Sequence, residues 1–122
     1  MFVEYRDLTE FPGYRVGSDG SVWSRRDFNG GIGGQWSRLS DRPTKKGYVK
    51  VGLRKDGRYA VIEAHALILR AFIGPCPPGM EACHENGVKW ENRLENLRWD
   101  THANNQRDNA RLGVATNRRR AP

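Results

Sequence analysis

The sequence predicts an α+β protein with an N-terminal antiparallel β-sheet, a connecting helix and a C-terminal unit of two strands and one helix. Three observations lead to this class. Short segments of alternating polarity, separated by turns that contain glycine, fill the first half. One apolar run, from Val61 to Phe72, has the length of a buried helix. A strand-like segment, a loop, a second strand-like segment and a capped helix then follow in order.

The first half contains most of the predicted strands. Residues 13–17 alternate, and the Ser-Asp-Gly sequence at 18–20 turns the chain into the next strand. Further strands are predicted at 21–24, 35–39, 47–53 and 58–61. In the third of these segments Val49, Val51 and Leu53 share one face, which we expect to be buried. The glycine-rich residues 29–34 predict a flexible loop.

The apolar run predicts the hydrophobic centre of the protein. Apolar residues surround nearly the whole helix predicted from Val61 to Phe72, and a helix of that kind is buried. His65 lies within it, so we expect a buried histidine there rather than a catalytic one. The Gly-Pro-Cys-Pro-Pro-Gly sequence at 74–79 ends the helix.

The last part of the chain predicts a hairpin followed by a helix. Residues 80–87 form a strand that runs into a turn, and residues 97–99 form the returning strand. Thr101 is placed to cap a helix through Leu112, and Gly113 stands where a helix would stop. This helix carries few apolar residues, so something other than core packing, such as a ligand or a metal, could hold it.

Composition narrows the class of partner. The chain has 122 residues, 21 Lys and Arg against 14 Asp and Glu, and a formal net charge of +7, which favours a polyanion such as nucleic acid. Many basic proteins bind no nucleic acid, so this indication is weak alone. No run approaches the ~20 apolar residues of a membrane span, and no signal peptide is visible. We therefore expect a reducing cytosol with Cys76 and Cys83 as thiols; a disulfide between them is the less favoured alternative.

Three motifs follow one another in the C-terminal half. They are Cys-His-Glu-Asn-Gly at 83–87, Glu-Asn-Arg-Leu-Glu-Asn-Leu-Arg-Trp-Asp-Thr at 91–101 and Asn-Asn-Gln-Arg-Asp-Asn at 104–109. In order and spacing they resemble the phage- and intron-associated branch of the HNH endonucleases. The resemblance implies a ββα-metal (His-Me finger) nuclease core over 61–113. It also implies a NUMOD4-like β module over 1–60, and residues 114–122 remain as a basic tail.

The resemblance also implies residue roles. His84 corresponds to the base that activates water, and an imidazole with an ordinary pKa near 6.5 is largely neutral at pH 7. Asn105 corresponds to the metal ligand on the helix, and its carbonyl oxygen suits a hard ion such as Mg²⁺ or Mn²⁺. Asn96 corresponds to the middle asparagine, which ties the loop through backbone hydrogen bonds and so holds the base in place.

One position departs from the family pattern. Many relatives have an aspartate ligand before the catalytic histidine, and this chain has Cys83. A thiolate is a poor ligand for Mg²⁺. Either the ion sits on Asn105 with waters and substrate phosphate, or Cys83 faces elsewhere and another group helps. His102, three residues before Asn105, is a candidate extra ligand or phosphate contact.

Arginine and lysine side chains supply the candidate DNA contacts, with an ordinary solvated face as the alternative for each. They are Arg93, Arg98, Arg107, Arg111, Lys50 and Arg54. The tail, with Arg118–Arg120, is either an arm that gains order on phosphate or a solvated terminus.

Together these features predict metal-dependent hydrolysis of double-stranded DNA by a phage or homing-type enzyme in the cytoplasm of a bacterial host. A monomer would nick, and a DNA-bound dimer would be needed for a concerted double-strand break. Two alternatives remain. The first is a DNA-binding module whose nuclease site has decayed, which the cysteine at position 83 keeps open. The second is a structural zinc protein built on Cys76, Cys83, His84 and His102, which the lack of close cysteine pairs makes weak.

Overall fold

The structure is a computed structural model that describes residues 2–27 and 31–113. In chain order, the elements of this part are β1 (Tyr5–Asp7), β2 (Tyr14–Gly17), β3 (Val22–Arg26), β4 (Ile32–Arg38), β5 (Lys50–Lys55), β6 (Arg58–Glu63), α1 (Ala64–Phe72), β7 (Met80–His84), a 3₁₀ turn (Leu94–Asn96), β8 (Leu97–Thr101) and α2 (His102–Leu112). The predicted α+β class is confirmed.

The strands form three antiparallel groups. Strands β1 to β4 make a four-stranded sheet in sequence order, and β5 with β6 and β7 with β8 make two hairpins. In the last hairpin Cys83 is opposite Arg98, and His84 is opposite Leu97. This register puts His84 at the end of β7, beside the loop that leads to β8.

Helix α1 lies at the centre of the core, as predicted. Its Leu67, Ile68 and Leu69 are buried together with Val16 of the first sheet and Leu53 of β5. The predicted inner face of β5 is confirmed, because Val49 and Val51 are buried beside Leu53. One hydrophobic cluster therefore joins both halves of the chain, and the predicted division at residue 60 stays a prediction.

The helix begins later than predicted. Val61, Ile62 and Glu63 belong to β6, where they pair with Gly52, Val51 and Lys50, and α1 starts at Ala64. The prediction was wrong there because an apolar run has no period that separates a strand from a buried helix. Val61 is 62% exposed, which fits the outer face of a hairpin.

Two further differences concern the first sheet. Strand β1 was not predicted; it is a three-residue strand at the sheet edge, paired only with β2. The predicted flexible loop 29–34 lies partly outside the described residues, but Ile32, Gly33 and Gly34 begin β4. Pairing with β3 supplies an ordered conformation that the glycines alone would not hold.

The predicted ends of α2 are confirmed. The Thr101 side chain accepts a hydrogen bond from the backbone N–H of Asn104, and Gly113 has the left-handed φ of 75° that ends a helix. None of the residues of α2 is buried, so its attachment to the hairpin depends on polar contacts.

The remaining expectations concern termini, membranes and cysteines. The predicted basic tail, residues 114–122, lies outside the described residues. Over 2–27 and 31–113, no helix has the length and apolar character needed to cross a bilayer. Cys76 and Cys83 are both free thiols, as predicted.

Candidate active site

His84 is buried at the end of β7 and held by one side chain. It is 7% exposed, and its Nε2 lies 2.8 Å from Oδ1 of Asn92. A carboxamide oxygen only accepts hydrogen bonds, so Nε2 carries the proton. In the neutral ring this leaves Nδ1 with a free lone pair, which is the form a general base requires.

The surroundings of His84 favour its neutral form. Burial lowers its pKa, the Asn92 hydrogen bond raises it less, and the nearby Lys89 ammonium lowers it further. The result is a pKa below the ordinary value for histidine. His84 therefore accepts protons at neutral pH without first having to lose one.

The aromatic rings of His65 and Tyr48 pack beside the His84 ring. The His65 and His84 ring centroids are 4.6 Å apart, and the Tyr48 ring stacks on His65 at 5.6 Å with a 19° angle between planes. His65 is 2% exposed, and burial together with His84 lowers its pKa to about 3. This agrees with the expected buried histidine. His65 is therefore an uncharged ring that packs against His84.

Asn96 ties the loop between β7 and β8. Its Oδ1 accepts from the Asn86 backbone N–H at 3.1 Å, and its Nδ2 donates to Asn86 Oδ1 at 3.0 Å and to the Glu91 carbonyl at 2.8 Å. Its own carbonyl accepts from the backbone N–H of Glu85 at 2.7 Å. The contacts are of the kind that the resemblance implies for this position.

A groove of about 330 Å³ is lined by residues that pack beside His84 and by residues of helix α2; His84 itself is not among its lining residues. Tyr48 and His65 line one side of it, and Asn105 and His102 line the other. Glu81 of β7 bridges toward the helix, since its Oε2 lies 2.5 Å from Asn105 Nδ2 and its Oε1 lies 3.0 Å from His102 Nδ1. A larger cleft of about 530 Å³, near Glu10 and Arg70, contains none of the predicted catalytic residues and, of the residues named for the zinc alternative, only Cys76.

Cys83 is placed differently from a hard-metal ligand. It is 1% exposed, and its Sγ lies 3.5 Å from the Glu81 carbonyl oxygen. Burial raises the pKa of the thiol to about 11, against the smaller opposing effect of the Arg98 charge. The group is therefore a protonated thiol at neutral pH, whereas metal ligation requires the thiolate.

The donor set of the groove fits a hard divalent ion. Within the described ranges, no group of three His, Cys, Asp or Glu side chains is arranged to hold a metal ion. A cation there would need carboxamide, water or phosphate oxygens to complete its shell. Asn105 offers a carboxamide oxygen, Glu81 offers carboxylate oxygens and His102 offers an imidazole nitrogen. This mixed set suits Mg²⁺ or Mn²⁺ better than a closed zinc site.

Arg98 is occupied by carboxylates of its own chain. It bonds Glu85 at 2.6 Å, Asp100 at 3.0 Å and also Asp108 of α2. Burial opposes its charge, but the bonds to Asp100 and Asp108 prevail and raise the Arg98 pKa. Arg98 is therefore a polar link between α2 and the hairpin, and its predicted contact with phosphate stays a prediction.

The other predicted DNA contacts lie at the surface with fewer partners. Arg107 bonds the neutral Asn104 side chain at 2.8 Å, and Arg111 pairs with Asp108 at 3.2 Å. Arg93 pairs with the half-buried Glu91 at 2.9 Å and with the exposed Glu95 at 3.6 Å. Lys50 and Arg54 are exposed on β5.

Three residues near the base were not singled out from the sequence. Asn92 holds the His84 ring, Lys89 lies 5.0 Å from the centre of the Tyr48 ring, and Glu81 contacts α2. Asn92 and Lys89 lie in a loop, where no periodic pattern predicts which way a side chain points. Glu81 could have been found from the sequence. It lies two positions before Cys83 on the same strand, so the two side chains share one face.

Strands β7 and β8 and helix α2 have the ββα arrangement that the resemblance implies, and comparison with known proteins agrees. Residues 63–107 match the family model of HNH endonucleases, so the resemblance seen in the sequence is confirmed. The curated protein DNA endonuclease I-HmuI of Bacillus phage SP01 is 28% identical over 117 residues, which are 93% of this chain and 63% of that protein.

A solved structure, described as DNA binding and cleavage by the HNH homing endonuclease I-HmuI, matches with a TM-score of 0.74 and 27% identity. The match covers 93% of this chain and 61% of that one, so this chain spans about three fifths of the relative's length. The NUMOD4-like assignment of residues 1–60 is not tested by these matches and stays a prediction.

Proposed function

We propose that the protein is a divalent-metal-dependent DNA endonuclease of the phage or homing type, which hydrolyses phosphodiester bonds of double-stranded DNA. The observation that carries the proposal is His84, a buried neutral imidazole with Nε2 fixed by Asn92, inside the segment that matches the HNH model. The printed name of the phage relative, a DNA endonuclease, supports the same substrate.

In this proposal His84 starts the reaction. Its Nδ1 takes a proton from a water molecule, and the water oxygen forms a bond to phosphorus while the bond from phosphorus to the 3′ oxygen breaks. Asn92 keeps the ring in the required tautomer, and His65 and Tyr48 hold its plane. A divalent ion, when bound, supplies positive charge for the phosphate and the leaving oxygen.

Asn105 is our candidate for the protein ligand of that ion, with His102 as a further ligand or a phosphate contact. Asn96 acts indirectly, because its hydrogen bonds fix the loop that carries Asn92. We assign Cys83 to packing rather than to metal binding, since its thiol is buried and protonated.

DNA binding is assigned to exposed basic residues of α2, of β5 and of the loop before β8. Arg107, Arg111, Arg93, Lys50 and Arg54 are the phosphate contacts in this proposal, and Lys89 joins them beside the base. Arg98 instead holds α2 in place through its carboxylate partners. A net charge of +7 supports a polyanionic substrate, and the affinity should fall steeply with salt. We place the reaction in the host-cell cytoplasm and expect nicking by a monomer.

Conversion of supercoiled plasmid to nicked circles tests the proposal. We expect cleavage with Mg²⁺ or Mn²⁺ and none with EDTA. A wild-type protein that binds the plasmid but cuts it with neither ion would instead support the binding module with a decayed site. Stoichiometric zinc that survives dialysis would support the structural zinc alternative.

A further inference from the structure

Glu81 is a carboxylate whose placement the proposed function does not yet use. It lies on β7 two positions before Cys83, so both side chains project from the same face of the strand. We propose that Glu81 and Asn105 together bind the divalent ion, with Glu81 supplying the carboxylate that position 83 lacks in this chain. The inference rests on the proposed function, because it names the ligands of that same site.

The two side chains are in direct contact, at a distance somewhat shorter than the spacing of two ligands on one ion. Glu81 Oε2 and Asn105 Nδ2 are 2.5 Å apart. Turning the Asn105 carboxamide by about 180° exchanges nitrogen for oxygen in the same volume. Neighbouring oxygen ligands of an octahedral Mg²⁺ lie about 3 Å apart, given metal–oxygen bonds of about 2.1 Å. A small opening of this contact therefore accommodates an ion between two oxygens that would otherwise repel each other.

The charge of Glu81 is also less neutralised than that of nearby carboxylates. Its ion-pair partner is His102 at 3.0 Å, whose ring is charged only when protonated. By contrast, Glu85, Asp100 and Asp108 all share the Arg98 guanidinium. Glu81 thus keeps a negative charge inside the groove that a cation can neutralise.

His102 is the third proposed ligand, and like Asn105 it contacts Glu81 from α2. Its Nδ1 already faces Glu81 Oε1, and its ring is exposed enough to turn toward an ion. An imidazole favours Mn²⁺ over Mg²⁺, because Mg²⁺ prefers oxygen ligands. We therefore expect Mn²⁺ to bind more tightly than Mg²⁺ at this site.

Titration of the full chain with Mn²⁺, followed by the electron paramagnetic resonance signal of the free ion, tests the inference without relying on cleavage. We expect one site in the wild type and at least tenfold weaker binding in Glu81→Gln, both alone and with a DNA duplex. Glu10→Gln is the matched control: it removes the same charge from an exposed carboxylate that pairs with Arg70, away from the groove. Its Mn²⁺ affinity should equal that of the wild type.

A measurement on the wild type guards against a variant that fails to fold. Bound Mn²⁺ should broaden the NMR signals of the Asn105 side-chain amide and the Glu81 backbone amide, and leave those around Arg70 sharp. Equal Mn²⁺ binding by wild type and Glu81→Gln, or no broadening at Asn105, would overturn the inference. Failure of the wild type to nick DNA would contradict the proposed function instead, while the Mn²⁺ data would still decide the role of Glu81.

Discussion

The imidazole rings of His65 and His84 face each other inside the protein, with centroids 4.6 Å apart and planes inclined at 33°. One ring comes from the first turns of α1 and the other from the end of β7. Burial is the largest cause of the lowered pKa of each ring, and His84 lowers the pKa of His65 further. A proton on His65 would therefore place a charge in the core, directly against the proposed base.

His65 should make the protein less stable as the pH falls. Its pKa is about 3 in the folded state, against an ordinary value of about 6.5. Below pH 6.5 the unfolded chain binds a proton that the folded chain excludes, so the free energy of unfolding falls progressively until about pH 3. Between pH 7 and 5 this costs about 2 kcal/mol. Urea denaturation at the two pH values should show most of this loss disappear in His65→Gln.

The matched control for that experiment is His102→Gln. The side chain of His102 is 70% exposed, so this substitution removes a histidine without opening the core, and the change expected for His65→Gln is compared with it. An unaltered pH dependence in His65→Gln would show that His65 is not the group that titrates.

Asn92 should set the pH at which cleavage begins. The lowered pKa of His84 predicts that the acid limb of the single-turnover rate lies below the ordinary histidine value of about 6.5. Asn92→Asp puts a carboxylate against Nε2 and favours the imidazolium, so the limb should move to higher pH. Rates measured from pH 5 to 8 check this shift, and an acid limb that moves down or stays fixed would contradict the assigned contact.

Asn96 should matter for stability. Asn96→Ala removes three side-chain hydrogen bonds and leaves the Asn86 N–H and the Glu91 carbonyl without this partner. We expect a loss of about 2–4 kcal/mol in the free energy of unfolding, measured by urea denaturation. Asn109→Ala on α2 is the control and should stay within about 0.5 kcal/mol of wild type. Equal losses of stability in the two variants would contradict the role of the Asn96 hydrogen bonds in fixing the loop.

Substitutions at Arg107 and Arg98 should have different effects, the first on DNA binding and the second on stability. Arg107→Ala should weaken binding to any duplex and reduce the salt dependence by about one phosphate contact, with little change in stability. Arg98→Met leaves three carboxylates without their shared cation, so it should lower the melting temperature. Fluorescence anisotropy at 50 to 200 mM salt and thermal denaturation give the two readouts. A stable Arg98→Met protein with a reduced salt slope would reverse the assignment.

The sequence was informative where spacing and periodicity act locally. The alternation of Val49, Val51 and Leu53 predicted a buried strand face, and Thr101 with Gly113 predicted both ends of α2. The start of α1 was misplaced because the apolar residues Val61 and Ile62 fit a buried helix as well as a strand. Only their pairing with β5, which is set by the β5–β6 turn, makes them a strand.

Predicting the site from sequence depended on motifs more than on geometry. The order of His84, Asn96 and Asn105 pointed to the nuclease resemblance, but nothing local shows that Asn92 rather than Asn86 reaches the imidazole. Likewise, the pairing of Arg98 with Asp108 was not visible in the sequence, because this carboxylate comes from the next helix. Contacts made across the hairpin and α2 are tertiary, and they appear only once the chain is folded.

The role of His84 as the base is tested most directly by single-turnover plasmid nicking by His84→Ala with Mn²⁺, beside a DNA-binding assay. We expect the rate to fall at least a hundredfold while DNA affinity and melting temperature stay near the wild-type values. A variant that nicks at the wild-type rate would contradict the account.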